Sequence, residues 1–389
     1  MSWSDRLSPT VKSIPPSGIR RFFDIVAEMK GVVSLGVGEP DFVTPWHIRE
    51  SCVYGLQRGY TAYTSNLGLL ELREEIARLI HNRYNVMYNP RNEVLVTVGV
   101  SEALDLAMRA IVSSGDEVLV PEPCYVSYKA CVTLAGGTAV PVPTSVENDF
   151  RLQVADLEVR VTPRTKAILI GYPNNPTGAI MTREELLKIA EFATKHDLIV
   201  ISDEIYGDLT YEGVHTCFSS LPDMRDRTIL LNGFSKAYAM TGWRIGYALA
   251  NPEFIAAMNK IHQYTILCAP ITAQVSAIEA LKNGETAMSK MVDEYNRRRR
   301  LMLEGLRSIG LDCFEPKGAF YIFPSIEKTG LTALQFAEEL LKEEKVALVP
   351  GDAFGDCGQG FVRCSYAASF SNLSTALERI ERFVSRRLG

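Results

Sequence analysis

An α/β fold is predicted, with a mostly parallel central sheet in a large domain flanked by helices. That domain is expected over residues 46–285, with a smaller α/β domain formed by residues 1–45 and 286–389. Three observations lead there. Apolar runs and amphipathic helical stretches alternate from Glu93 to Ala250. The runs are apolar throughout rather than at every second residue, as strands buried on both faces are. Beyond Pro270 the pattern turns helical for a long way before short strand-like runs return.

The elements follow in order. Pro15-Pro16-Ser17-Gly18 breaks the chain, and the spacing of Ile19, Phe22, Val26 and Met29 predicts a helix. Val32–Gly38 reads as a short strand, and Leu69–Tyr84 as an amphipathic helix with Leu72, Ile76 and Ile80 on one face. Glu93–Gly99 is a strand, and the helix after it turns Leu104, Met108 and Ile111 inward. Further strands are expected at Glu117–Pro121, Lys166–Tyr172, Leu198–Asp203, Thr228–Phe234 and Arg244–Ala250, with a helix at Arg183–His196. Helices then cover Ala273–Leu281 and Ala287–Ile309, and the Arg297–Arg300 run reads as a solvated helix face. Gly318–Pro324, Val346–Pro350 and Phe361–Ser365 read as strands, with helices at Leu334–Glu344 and Leu373–Leu388.

The 389 residues carry a net charge of −5 and 47% hydrophobic residues, so nothing favours nucleic acid or a membrane surface as partner. The polar start and the lack of a long apolar run suggest a cytoplasmic protein. The eight cysteines form no C-x-x-C, and no His pair has ligand spacing, so no metal is expected.

Polar residues cluster where predicted strands end, and ligands of parallel sheets gather beyond those ends. Lys236 lies just past Thr228–Asn232 in N-G-F-S-K-A-Y-A-M-T-G-W-R-I-G. A buried ammonium is costly; burial lowers its pKa and leaves an amine able to form a Schiff base with an aldehyde. Ser235 just before it and Arg244 eight residues after it suit a phosphate. Ser101 opens a helix straight after a strand and glycine, where free N–H groups attract anions, although it would also serve as a plain N-cap. Asp203 closes an apolar strand and needs a partner there, unless it caps a helix.

The S-K-(x)4-T-G-W-R segment, the N-P-T-G loop at Asn175–Gly178 and the D-E-I-Y stretch at Asp203–Tyr206 together resemble the fold-type I pyridoxal 5′-phosphate (PLP) aminotransferases of class I/II. The resemblance covers essentially the whole chain, and it implies roles. Lys236 would hold the cofactor and move the proton between substrate and ring. Asp203 would pair with the ring nitrogen, worth roughly 4 kcal/mol at about 4 Å and an effective dielectric near 20. Tyr206 and Asn175 would donate to the ring oxygen O3′, and Tyr125 would stack on the ring. Val100, Ser101, Ser235 and Arg244 would cup the phosphate, joined by Tyr63 from the other subunit of a homodimer. Gly38 and Arg363 would take the substrate carboxylate. Read alone, Tyr125 is core, Gly38 a turn glycine and Arg363 an ordinary strand arginine.

The implied reaction moves an amino group from an L-amino acid to a 2-oxo acid, 2-oxoglutarate, by a ping-pong cycle through pyridoxamine phosphate. Some aspartate-type relatives carry a lysine where this chain has Ser101, which argues against strict aspartate specificity. The S-G-I-R-R-F-F-D and G-A-F-Y-I-F-P stretches favour aromatic or broad specificity. Alternatives are aspartate or N-acetyl-diaminopimelate transamination, another PLP reaction such as a β-lyase, and a non-catalytic sensor on the same fold.

Overall fold

The computed structural model describes residues 3–16 and 29–388. The helix expected from Ile19 onward falls outside them.

Seven strands form the main sheet: β2 (Val94–Thr97), β3 (Glu117–Glu122), β4 (Thr138–Pro143), β5 (Thr165–Gly171), β6 (Ile199–Asp203), β7 (Thr228–Gly233) and β8 (Gly246–Leu249). With the short β1 (Val33–Ser34) preceding them, their order across the sheet is β2-β8-β7-β6-β5-β3-β4. Neighbours run parallel except around β8, which is antiparallel to both β2 and β7. Every residue of β2, β3 and β8 is buried, as expected of a sheet covered on both faces. The reversal of β8 matters for the site. It brings the start of β8, with Arg244 just before it, to the edge where β2, β6 and β7 end.

Sequence periodicity missed several pieces. β4, at the sheet's edge, buries only Val142 and leaves its other residues exposed or half-buried, so an apolar run is not required there. The helices Trp46–Gln57 and Ser127–Leu134 bury only two residues each, so their apolar stripe is faint. The helix Gly99–Ile111, by contrast, buries seven residues and was plain in the pattern.

A second set of strands comprises β9 (Tyr321–Ile322), β10 (Val346–Ala347), β11 (Val349–Pro350) and β12 (Val362–Ser365). β1 pairs parallel with β10, and β11-β12-β9 form an antiparallel sheet. The expected runs Val32–Gly38 and Gly318–Pro324 are therefore strands over two residues each. Beyond β1, Leu35 is buried in the core and Gly38 lines the cleft described below.

The Arg297–Arg300 run is not a wholly solvated face. On the helix Glu285–Ser308, Arg298 and Arg299 are buried. Arg298 pairs with Asp41 at 2.7 Å and Glu294 at 3.2 Å, and lies over the Phe42 ring. Arg299 pairs with Glu212 at 2.7 Å and Glu315 at 3.2 Å. Guanidinium groups go inside when carboxylates and rings replace their water; apart from Glu294, one turn earlier on the same helix, the carboxylates come from outside the helix and leave no local signal.

Candidate active site

One cleft of about 470 Å³ lies beyond the polar ends of the main sheet and is lined by both sets of strands. Every site residue proposed from the sequence lines it except Tyr63.

Asp203 is the last residue of β6 and is buried. Its Oδ2 accepts a hydrogen bond from the Tyr128 hydroxyl at 2.8 Å, and its Oδ1 accepts one from the Ile205 N–H at 3.2 Å. Burial pushes the carboxyl up to about 6, against the pull of these two donors and of Lys236. Room for Tyr128 comes from Gly171 at the end of β5. A Cβ there would stand 2.4 Å from the hydroxyl oxygen.

β7 ends at Gly233, and the chain turns through the buried Ser235 to Lys236. The Lys236 Nζ donates to the Gly38 carbonyl at 2.6 Å. Its other neighbours are the Tyr206 and Phe320 rings, 5.8 and 5.6 Å from the nitrogen. Burial, reinforced by Arg363 and Arg244 and opposed by Glu39 and Asp203, lowers this amine from 10.5 to about 8. It can thus be neutral in part near physiological pH, as a nucleophilic amine must be.

Three glycines shape an anion cradle beside it. Gly246 opens β8 opposite Gly233 of β7 and Thr97 of β2. A Cβ on Gly246 would come within 2.7 Å of the Gly99 carbonyl carbon and the Val100 nitrogen. One on Gly99, whose φ is +73°, would come within 2.6 Å of the Arg244 guanidinium. The helix N-terminus at Gly99–Ser101 therefore packs against Arg244, and no side chain caps it. Glu102 accepts from the Val98 N–H at 2.5 Å and from the buried His262 Nδ1 at 2.7 Å, bracing the turn from beneath. Open helix-end amides, the Ser101 and Ser235 hydroxyls and a guanidinium make a phosphate site. With a buried acid and an amine in the same cleft, the residues fit a phosphorylated, basic, aldehyde-bearing aromatic ring.

The opposite wall holds Arg363 of β12, a buried residue that lines the cleft. Its Nη1 donates to Asn175 Oδ1 at 2.9 Å and its Nη2 to the Gly36 carbonyl at 2.6 Å, while Nε has no partner. The guanidinium lies 4.4 Å from the Tyr321 ring centre and 4.9 Å from that of Phe354. Asn174, one residue earlier, holds the loop instead: its Oδ1 accepts from the Thr177 N–H and hydroxyl. Because Asn175 turns its oxygen to Arg363, its amide N–H groups are free to donate elsewhere. Tyr125 lines the cleft edge-on to Tyr128, with ring centres 5.7 Å apart. The Tyr206 and Tyr321 hydroxyls are 2.8 Å apart.

Sequence reasoning missed Tyr128 and Tyr321. Tyr128 lies one helical turn after Tyr125, a spacing that could have suggested it. Tyr321 lies in an apolar run where an aromatic reads as core. Tyr63 is 83% exposed and away from this chain's own cleft. Among the described residues no helix is long and apolar enough to cross a membrane.

Comparison with known proteins agrees with this geometry. The profile of the aminotransferase class I and II family matches residues 30–380. The chain is 55% identical over 380 residues to a putative aminotransferase, YugH, of Bacillus subtilis, covering 98% of each. It is 46% identical over 390 residues to an aspartate aminotransferase of Pyrococcus abyssi, covering all of this chain and 99% of that one. Among solved structures, the aromatic aminotransferase of Pyrococcus horikoshii superposes with a TM-score of 0.91 at 45% identity, over 95% of this chain and 99% of that one. The chain belongs to the class I and II aminotransferases. It is a transaminase that acts on amino-acid and 2-oxo-acid substrates, and its cofactor is pyridoxal 5′-phosphate.

Proposed function

We propose that this transaminase accepts L-amino acids of aromatic or broadly varied side chain and passes the amino group to 2-oxoglutarate by a ping-pong cycle. The observation that carries the reading is the Arg363–Asn175 pair facing the Lys236 amine across one cleft.

In this reading the Gly99–Ser101 amides, the Ser101 and Ser235 hydroxyls and Arg244 bind the cofactor phosphate. Tyr125 covers the ring face, Asp203 holds a proton at the ring nitrogen, and Tyr206 and Asn175 donate to the ring oxygen. When bound, the cofactor supplies an aldehyde for the amino group and a ring that draws off electrons from the substrate α-carbon. Arg363 grips the α-carboxylate through its fork, with Gly38 beside it leaving room for the substrate backbone. That grip would turn the α-hydrogen toward Lys236, whose Nζ would take the α-proton and hold it for return as a general acid.

Specificity follows from the cations in the cleft. Among the described residues lining it these are Lys236, Arg244 and Arg363, each already engaged. None of these is left to grip a distal carboxylate. A donor screen against 2-oxoglutarate tests this. Phenylalanine or tyrosine should match or exceed aspartate in kcat/KM. A strong preference for aspartate would overturn the specificity, and oxo-acid release without any acceptor would point to a lyase.

The same reading makes the molecule a homodimer, with Tyr63 reaching the partner's phosphate site. Support comes from the exposure of Tyr63 and of Trp46, Val53, Tyr54, Leu56 and Tyr60 nearby in sequence. It also treats residues 46–285 as one domain, and 1–45 with 286–389 as the other, in keeping with the β1–β10 pairing. Mixing Tyr63→Phe and Lys236→Ala chains tests the shared site: activity should recover above that of either variant alone, and no recovery would place Tyr63 elsewhere.

A further inference from the structure

We propose that Tyr321 is a positioning residue that ties the two walls of this site together, its hydroxyl orienting that of Tyr206 and its ring seating the Arg363 guanidinium. The inference rests on the roles just proposed for Tyr206 and Arg363, and it gives a role to a residue that the sequence offered only as part of the G-A-F-Y-I-F-P stretch.

Tyr321 stands where three of the sequence-derived site residues meet. Its hydroxyl is 2.8 Å from that of Tyr206. Its ring lies under the Arg363 guanidinium, 4.4 Å away. The third neighbour is Gly38, where a Cβ would come 2.5 Å from the Tyr321 hydroxyl oxygen. Gly38 has an ordinary backbone conformation, since its φ is not in the left-handed region. It is therefore the Tyr321 hydroxyl, rather than a turn, that requires glycine there.

Two phenols at this distance share one proton between their oxygens, so one donates and the other accepts. Burial raises the pKa of both, and each keeps its proton at neutral pH. Tyr206 has a single proton. If that proton goes to the ring oxygen of the cofactor, Tyr206 must accept from Tyr321. A phenol that accepts a hydrogen bond donates more strongly in turn, so the Tyr321 hydroxyl both sets the direction of the Tyr206 proton and strengthens its bond.

The ring does separate work. The Arg363 Nη1 and Nη2 are anchored in the plane by Asn175 and Gly36, and Nε has no partner. Nothing in that plane fixes the tilt of the guanidinium, whereas the Tyr321 and Phe354 faces do. A bidentate carboxylate contact depends on that tilt.

Two substitutions separate the two jobs. Tyr321→Phe keeps the ring and removes the hydroxyl. The midpoint of the pH titration of the cofactor's visible band, read on the loaded protein without substrate, should rise by about half to one pH unit. Under turnover kcat should fall several-fold while KM for the donor stays within about two-fold. Tyr321→Leu removes the ring as well, and KM should rise about ten-fold or more.

Gly38→Ala adds a third arm. In the wild type its Cβ displaces the hydroxyl and should move the band midpoint the same way as Tyr321→Phe. Once the hydroxyl is gone, the nearest ring atoms lie 3.5 and 3.7 Å from that Cβ, ordinary contact distances. Gly38→Ala should therefore add little to Tyr321→Phe.

An unmoved midpoint in Tyr321→Phe would overturn the first role. A KM no worse in Tyr321→Leu than in Tyr321→Phe would overturn the second. Equal, additive shifts from Gly38→Ala in both backgrounds would overturn the assignment of Gly38. Wild-type protein run alongside keeps these outcomes apart from failure of the proposed reaction, which would appear as a wild type lacking the band or turnover.

Discussion

Asp203 and Arg363 face the same cleft, yet they are built into it differently. Asp203 closes a buried strand, and its backbone partner Ile205 is two residues away. Lys236, Ser235 and Arg244 likewise sit at or just beyond the ends of neighbouring strands. Arg363 depends on residues far off in the chain: its Nη2 reaches Gly36, 327 positions earlier, and its Nη1 reaches Asn175, 188 positions earlier. The cofactor wall is thus a property of one sheet, whereas the substrate wall exists only once separate stretches of the chain have been brought together. Burial also acts on the two walls in different currencies. It brings Asp203 to about 6 and Lys236 to about 8, both within reach of neutral pH. Arg363 is lowered too, but from so high a value that it stays charged and serves as a fixed cation.

Substitutions should therefore fall into two kinds. The largest effect belongs to the sheet wall: Lys236→Ala should abolish the cofactor's visible band and lower kcat by about 10⁴-fold or more, measured in single-turnover and steady-state assays. Asp203→Asn keeps the shape but not the charge and should lower kcat by about 10²–10³-fold, with faster loss of cofactor on dialysis. Arg363→Ala, on the other wall, should raise KM for the donor by about 10²-fold while cofactor affinity, followed by absorbance titration, stays near wild type. Weakened cofactor binding in Arg363→Ala would erase the distinction between the walls.

Much of the first wall was legible in the sequence, because a strand end and the turn after it are neighbours in the chain. Asp203, Lys236 and the helix opening at Gly99 could be placed from the pattern of apolar runs and glycines alone. The second wall was legible only through resemblance, since Arg363 reads locally as a strand arginine. Tyr128 offered only its three-residue spacing from Tyr125, and Tyr321 escaped both routes because an aromatic in an apolar run carries no mark of where its hydroxyl points. Distance in the chain likewise hid most of the pairing of the buried Arg298 and Arg299, since Asp41, Glu212 and Glu315 all lie outside their helix.

The smallest effect is on stability. Lys236 releases its proton near pH 8 in the folded chain and near 10.5 ordinarily. Between those values the unfolded chain binds more protons, so folding stability rises with pH there; below pH 8 the buried ammonium carries its full cost. Unloaded Lys236→Met should be more stable than unloaded wild type by about 1–3 kcal/mol at pH 7, with the gain shrinking above pH 8. Urea unfolding across that range measures it, and a gain that grows with pH would contradict the assigned shift.

The central claim is that the amine at the end of β7 is the one that captures the cofactor. Borohydride reduction of the loaded protein, followed by mass mapping of its peptides, tests this most directly. The account predicts a pyridoxyl group on Lys236 and on no other lysine; a modified lysine elsewhere, or none, would contradict it.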